Sequence, residues 1–196
     1  MYATRARSRW EALARIAAPI GALLLVGLLV IGTSRAAFFD TTQNTGNSFS
    51  TGTVAISDDD SGSAMFSASG LVPGDSVTEC ITVQYDGTEV PADVELYVGS
   101  GDLSGTGLDD YLDMTVELGT GGSFGSCAGF SGSSVYTGTL DGFASAHTGF
   151  ASGTGSWSPA ATSETRTYRF SFTLQDDNAA QGLDATVTFT WEAQNQ

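Results

Sequence analysis

The sequence has no lysine, a single histidine and two cysteines, and each scarcity excludes a class of chemistry. Without lysine a Ser-Lys dyad cannot form. A catalytic zinc normally needs three protein ligands, usually including two or more histidines, yet His147 is alone and no H-E-x-x-H motif occurs. The spacing of the cysteines excludes a C-x-x-C redox pair. We therefore predict no catalytic residues and no metal ligands, with His147 as an ordinary loop histidine.

Basic residues are also few, and they are unevenly placed. All seven are arginines, and only Arg166 and Arg169 lie beyond residue 36. That part of the chain has 21 acidic residues, which gives a net charge of −19. Phosphate backbones and anionic lipid surfaces repel such a chain, so we expect no nucleic-acid partner. The charge fits a calcium-rich extracellular setting or a salt-loving host, and its simplest role is solubility.

The N-terminus has the pattern of a signal peptide. Arginines precede the apolar run Ile16–Ile31, and small residues at Ser34 and Ala36 predict cleavage between Ala36 and Ala37. The run is shorter than the roughly 20 residues that span a bilayer, although an uncleaved anchor is the alternative. We predict a signal peptide at 1–36, a protein secreted or held at the cell surface, and membrane contact only through the leader before cleavage.

The two cysteines, Cys80 and Cys127, are an even number in a chain predicted to be exported. This predicts one disulfide, which would contribute roughly 4 kcal/mol through loop closure. Two free thiols held apart in the fold are the alternative.

Alternation of apolar and polar residues predicts half-buried strands and antiparallel sheets. The clean examples run through 92–98, 112–118, 168–174 and 185–191, and less regular ones through Phe49–Ile56, Met65–Ser69, Val77–Tyr85 and Ser134–Leu140. Glu79 interrupts one apolar row, which predicts a bulge or a strand end near Cys80. One helical turn is expected at 108–112. The predicted fold is all-β, an antiparallel sandwich or jelly roll of about eight strands over 48–196.

The segment 119–155 is rich in glycine and serine and poor in apolar residues. We predict a long loop insertion with one or two short strands, pinned to the sandwich by Cys127. It contains Gly121-Gly122-Ser123-Phe124-Gly125, which matches G-x-S-x-G. A nucleophile elbow needs a strand-turn-helix context, so this match is attributed to chance.

Aspartates cluster at three places that could offer oxygen ligands to calcium. These are 58–60, 109–113 and 176–177. Calcium takes 6–8 oxygen ligands, so one cluster alone is insufficient, and solvated turn aspartates are the favoured interpretation. No cofactor is predicted, and calcium is left open.

Several motifs, in order along nearly the whole chain, resemble the TasA/camelysin family of exported bacterial and archaeal proteins. They are Ala37-Phe38-Phe39-Asp40-Thr41-Thr42, Gly46-Asn47-Ser48-Phe49, Leu71-Val72-Pro73-Gly74-Asp75, Asp110-Tyr111-Leu112 and Val187-Thr188-Phe189-Thr190-Trp191-Glu192-Ala193. The resemblance implies a jelly-roll subunit that builds biofilm-matrix fibres after a dedicated, SipW-type signal peptidase removes the leader.

By this resemblance, residues 37–47 are an arm that adds as a strand to the next subunit, with Ala37, Phe38, Phe39 and Asp40 at its start. A tether that is disordered or packs on its own domain is the alternative. The predicted function is a secreted structural protein that self-associates. The alternatives are a secreted metallo-endopeptidase, after the family's other description, and a monomeric surface-binding module that uses the loops of 119–155.

Overall fold

The computed structural model describes residues 39–43 and 54–196, and there the predicted all-β fold is confirmed. One α-helix, α1, spans Leu140–Ala146, and 3₁₀ turns lie at Leu108–Tyr111, Phe150–Ser152 and Asn178–Ala180. The strands are β1 Phe39–Gln43, β2 Ile56–Asp58, β3 Ser76–Tyr85, β4 Ala92–Tyr97, β5 Leu103–Gly105, β6 Leu112–Thr120, β7 Ser131–Thr139, β8 Thr154–Trp157, β9 Glu164–Leu174, β10 Ala185–Val187 and β11 Thr190–Asn195.

The strands form two main antiparallel sheets. One has the order β1-β11-β4-β8 and the other the order β2-β3-β9-β6-β7, while β5 and β10 pair separately. With β2, β5 and β10 left aside, eight strands remain. Numbered one to eight in chain order, these strands form one sheet in the order 1-8-3-6 (β1-β11-β4-β8) and the other in the order 2-7-4-5 (β3-β9-β6-β7). This is the strand order of a jelly roll, as the sequence predicts.

The core lies between the inner faces of the two sheets. Tyr168 and Phe170 of β9 are fully buried, as is Trp191 of β11. The Trp191 ring lies 5.5 Å from the ring of Tyr168 and 6.1 Å from that of Phe170, so it joins the sheets. The predicted alternation therefore sets the register, because a slip of one residue would turn these rings outwards.

The strand predicted over 185–191 is two strands. β10 pairs with β5, whereas β11 pairs with β4 and β1. The chain changes sheets at Thr188, whose N–H donates to the carbonyl of Asp102 at 2.9 Å, and Phe189 is buried just beyond. The alternation continues through the crossing because both strands have an apolar face.

Three other local predictions need correction. No strand forms at 65–69, although Met65 is buried and the Phe66 ring packs 4.8 Å from that of Phe172. Of the strand predicted at 49–56, residues 49–53 lie outside the described residues and only Ile56 is in a described strand. No bulge occurs near Glu79, because β3 pairs with β9 at ten consecutive positions without a shift.

The segment 119–155 is not an insertion into the sandwich. It supplies β7, which is the edge strand of the five-stranded sheet, as well as α1 and β8. Gly119 and Gly132 face each other in the β6–β7 pair, where a Cβ on either residue would meet the opposite main chain. Glycine at these positions therefore permits a close strand pairing, and its abundance there does not indicate a loop.

Candidate functional site

The N-terminal strand β1 forms an edge of the four-stranded sheet. It pairs antiparallel with β11 of the same chain, from Phe39 opposite Gln194 to Gln43 opposite Thr190. Its other long side has no neighbouring strand among the described residues. Phe39 and Asp40 of the predicted arm are thus in a strand on their own domain, while Ala36, Ala37 and Phe38 lie outside the described residues.

β11 is the strand that β1 covers. Trp191 and Ala193 point into the core and are fully buried. The alternate residue Glu192 accepts a hydrogen bond from the Tyr97 hydroxyl at 2.7 Å and another from Gln194 Nε2 at 2.7 Å. Burial, followed by the hydrogen bond to Glu192, raises the pKa of Tyr97, so the phenol stays a donor. The bond from Tyr97 joins β11 to β4, on the side opposite β1.

Two glutamates lie side by side on this sheet. Glu95 on β4 is the register partner of Glu192 on β11. Burial raises the pKa of Glu95, and the charge of Asp93 adds to the rise, whereas a hydrogen bond with Ser156 and the charge of His147 oppose it. One carboxylate oxygen of Glu95 is buried without a hydrogen-bond partner among the residues that the structure describes. The sequence shows both residues as ordinary polar positions of alternating strands, so this pair is not predicted.

The predicted disulfide between Cys80 and Cys127 is present, with the Cα atoms 5.3 Å apart. It ties the β6–β7 connection to β3. Two further contacts hold the same connection: the Asp59 carboxylate accepts from the N–H of Phe124 at 2.8 Å, and the Phe130 ring lies 4.6 Å from the guanidinium of Arg169. The connection therefore covers part of the sheet's outer face, which explains why Cys80 is fully buried.

Candidate metal ligands do not cluster in residues 54–196 or in β1. In particular, no group of three or more His, Cys, Asp or Glu side chains could hold a metal ion there. His147 follows α1, and its Nδ1 lies 2.6 Å from the carbonyl oxygen of Ser152. The segment 121–125 forms a turn closed by hydrogen bonds between Ser123 and Ser126, without the strand-turn-helix of a nucleophile elbow.

None of the helices in the described part of the chain is long and apolar enough to cross a bilayer. The apolar run predicted as the leader lies outside that part.

The fold and this edge define a jelly-roll domain in which β1, the first described strand, has one described strand partner, β11. Residues 15–101 match the model of a family described as camelysin metallo-endopeptidase. Over this segment the chain is similar to the camelysin family, in agreement with the resemblance of its motifs to the TasA type.

Other comparisons add little. No curated protein matches the chain significantly. Among solved structures, the chain is similar to one titled "Crystal structure of infectious bursal disease virus VP2 subviral particle", at 12% identity and a TM-score of 0.23. The match covers 83% of this chain and 33% of that one, so the chain spans about a third of its length. A TM-score this low carries no conclusion.

Proposed function

We propose that this protein is a secreted structural protein of the cell surface or biofilm matrix, which forms fibres when β1 of one subunit pairs with β11 of the next. The family match supports a secreted TasA-type protein. The observation that carries the proposal is the position of β1, which is the first described strand, is five residues long and is paired along one side only within the described part of the chain. Such a strand can leave without breaking any other strand pair.

The main-chain energetics of β1 permit exchange. Five paired residues gain about 0.5–1.5 kcal/mol per hydrogen bond. Ordering their main chain costs about 1–2 kcal/mol per residue, so the main-chain terms nearly cancel. Pairing with β11 of another subunit forms the same hydrogen bonds, so the choice between the two depends on concentration. Contacts that run head to tail do not close on themselves and generate a filament.

The connection from β1 to the domain is long enough for exchange. Residues 44–53 separate β1 from Val54, and ten extended residues span at most about 35 Å. That reach is comparable to the diameter of a small domain. The connection is also polar, with glycine at 46 and 52.

A cross-link between register partners tests the exchange. Thr41 lies opposite Glu192, so T41C with E192C places two thiols on neighbouring strands. Oxidation under assembly conditions should give a ladder of covalent oligomers on a non-reducing gel, and T41C alone is the matched control. A cross-linked monomer as the sole product would show that β1 stays on its own domain.

Truncation provides an independent test. The chain from Ala37 to Gln196 should form filaments visible by electron microscopy, with calcium or at acid pH to reduce repulsion between subunits. A chain that starts at Ser48 should stay monomeric by analytical ultracentrifugation. T41P with T42P should behave like the truncation because proline disrupts strand pairing, whereas T41V with T42V should still assemble. Equal assembly of all four proteins would refute the role of the strand.

The family's description as a metallo-endopeptidase makes a secreted peptidase the second candidate. Its test is casein cleavage with and without a zinc chelator, on protein purified over several columns. Chelator-sensitive cleavage that follows the protein through purification would establish a peptidase, and its absence would leave the structural role.

A further inference from the structure

Asp60, in the turn after β2, has a buried carboxylate with an unsatisfied oxygen. The residue is 4% exposed. Its Oδ1 accepts the N–H of Gly62 at 2.6 Å, whereas its Oδ2 is buried without a hydrogen-bond partner in the described part of the chain. Buried charges in proteins are paired or coordinate metals. The free Oδ2 of Asp60 is thus a candidate ligand for a cation.

The described part of the protein has no basic side chain to spare for it. The sequence contains no lysine, and beyond residue 36 its only arginines are Arg166 and Arg169. Arg166 is bound to Glu164 at 2.8 Å and Arg169 to Glu117 at 2.5 Å, each within the five-stranded sheet. Among the described residues, neither arginine is therefore left to pair with Asp60.

We propose that the turn 58–62 binds one calcium ion through the carboxylate of Asp60. Calcium prefers carboxylate and carbonyl oxygens and takes 6–8 of them, so main-chain oxygens and water would complete the shell. The carboxylate of Asp58 lies on the same turn, with Oδ1 at 3.3 Å from the N–H of Asp60. With so few carboxylates, the affinity should fall in the 10⁻⁴–10⁻³ M class of extracellular calcium modules.

Asp59 connects this turn to the rest of the domain and is not a ligand. Its two carboxylate oxygens accept the N–H groups of Thr82 and Phe124, each at 2.8 Å. An ion at Asp60 would thus reinforce a turn that is joined to β3 and to the connection carrying Cys127. Calcium should raise the stability of this corner of the domain.

Another acidic cluster provides a matched control because its aspartates are exposed, whereas Asp60 is buried. Asp176 lies in an exposed turn. D60N and D176N each remove one negative charge and keep the shape of the side chain. General screening of the protein's negative charge by calcium would respond equally to both substitutions, but a site at Asp60 would respond only to the first.

The test is titration of the purified protein with calcium chloride at constant ionic strength, followed by calorimetry and by the melting temperature. The wild type and D176N should bind one ion per chain, and both should melt higher with calcium. D60N should bind at least tenfold more weakly and show little calcium-dependent shift. Without calcium it should melt no lower than the wild type, because the buried charge is gone.

Two results would overturn the site. One is no saturable binding by the wild type up to about 10 mM calcium, well above the expected range. The other is an equal calcium shift in the wild type and D60N, which would assign the effect to screening. If D60N does not fold, the wild-type stoichiometry still decides between a single site and none, and D58N should then weaken binding.

Discussion

Removing the disulfide gives a quantitative test of how the β6–β7 connection is held. The linked residues are 47 positions apart. The loop-closure relation then predicts that the bond stabilises the fold by about 4 kcal/mol through the unfolded chain. The other contacts of the connection, including the bond from Phe124 to Asp59, do not depend on the bond. We therefore expect C80A with C127A to keep the native fold and lose mainly this entropic contribution.

Urea unfolding followed by tryptophan fluorescence measures the loss, because Trp157 and Trp191 are buried. The unfolding free energy should fall by about 4 kcal/mol, and the melting temperature by roughly 8–16 °C for a domain of this size. The slope of the free energy with urea should rise, since the released chain exposes more surface. A loss under about 1 kcal/mol with an unchanged slope would refute the entropic account.

Three further substitutions test contacts described above. Burial raises the pKa of Glu95. The contribution of Glu95 to the free energy of unfolding is therefore complete below about pH 4.5 and is lost as the pH rises through the folded-state pKa. E95Q should make the melting temperature depend less on pH in this range, and it should raise the free energy of unfolding at pH 7 by about 1 kcal/mol. R169M removes the ion pair with Glu117 and the contact with Phe130, and should cost about 1 kcal/mol in urea unfolding. High salt should weaken the wild type more than this variant. D59A leaves two main-chain N–H groups without their acceptor and should cost about 2 kcal/mol, with faster hydrogen exchange at Phe124, whereas D59N should lose less.

The sequence predicts the strands best where one face is buried and one is solvated. β4, β6 and β9 follow their alternation closely because each lies between two other strands and contributes an inner face to the core. Alternation carries no information about which strands pair with each other. For this reason the sequence pattern does not reveal that the chain changes sheets at Thr188. Edge strands are harder still: the strand predicted at Ser134–Leu140 finds most of β7 but not its start, because β7 has no fully buried residue and its first part has the composition of a loop.

The acidic residues show a second limit of sequence reasoning. Asp58, Asp59 and Asp60 are adjacent and chemically identical, but the fold separates them. Asp59 holds two main-chain N–H groups and Asp60 is buried, and only the positions of β3 and the β6–β7 connection determine which residue does which. Local sequence can identify such a cluster but cannot assign its members.

The position of β1 in the chain bears directly on the proposed assembly. Its partner residues on β11 lie roughly 150 positions away, so this pair closes a very long loop. Such non-local pairings form slowly, so we expect β1 to join β11 late in folding. On this expectation, a folding subunit would pass through a stage in which β1 and the edge of β11 are both unpaired. Strand exchange should be fastest at that stage, so refolding at high concentration should give more oligomer than concentrating folded monomer to the same value. Equal yields by light scattering would show that exchange does not depend on folding.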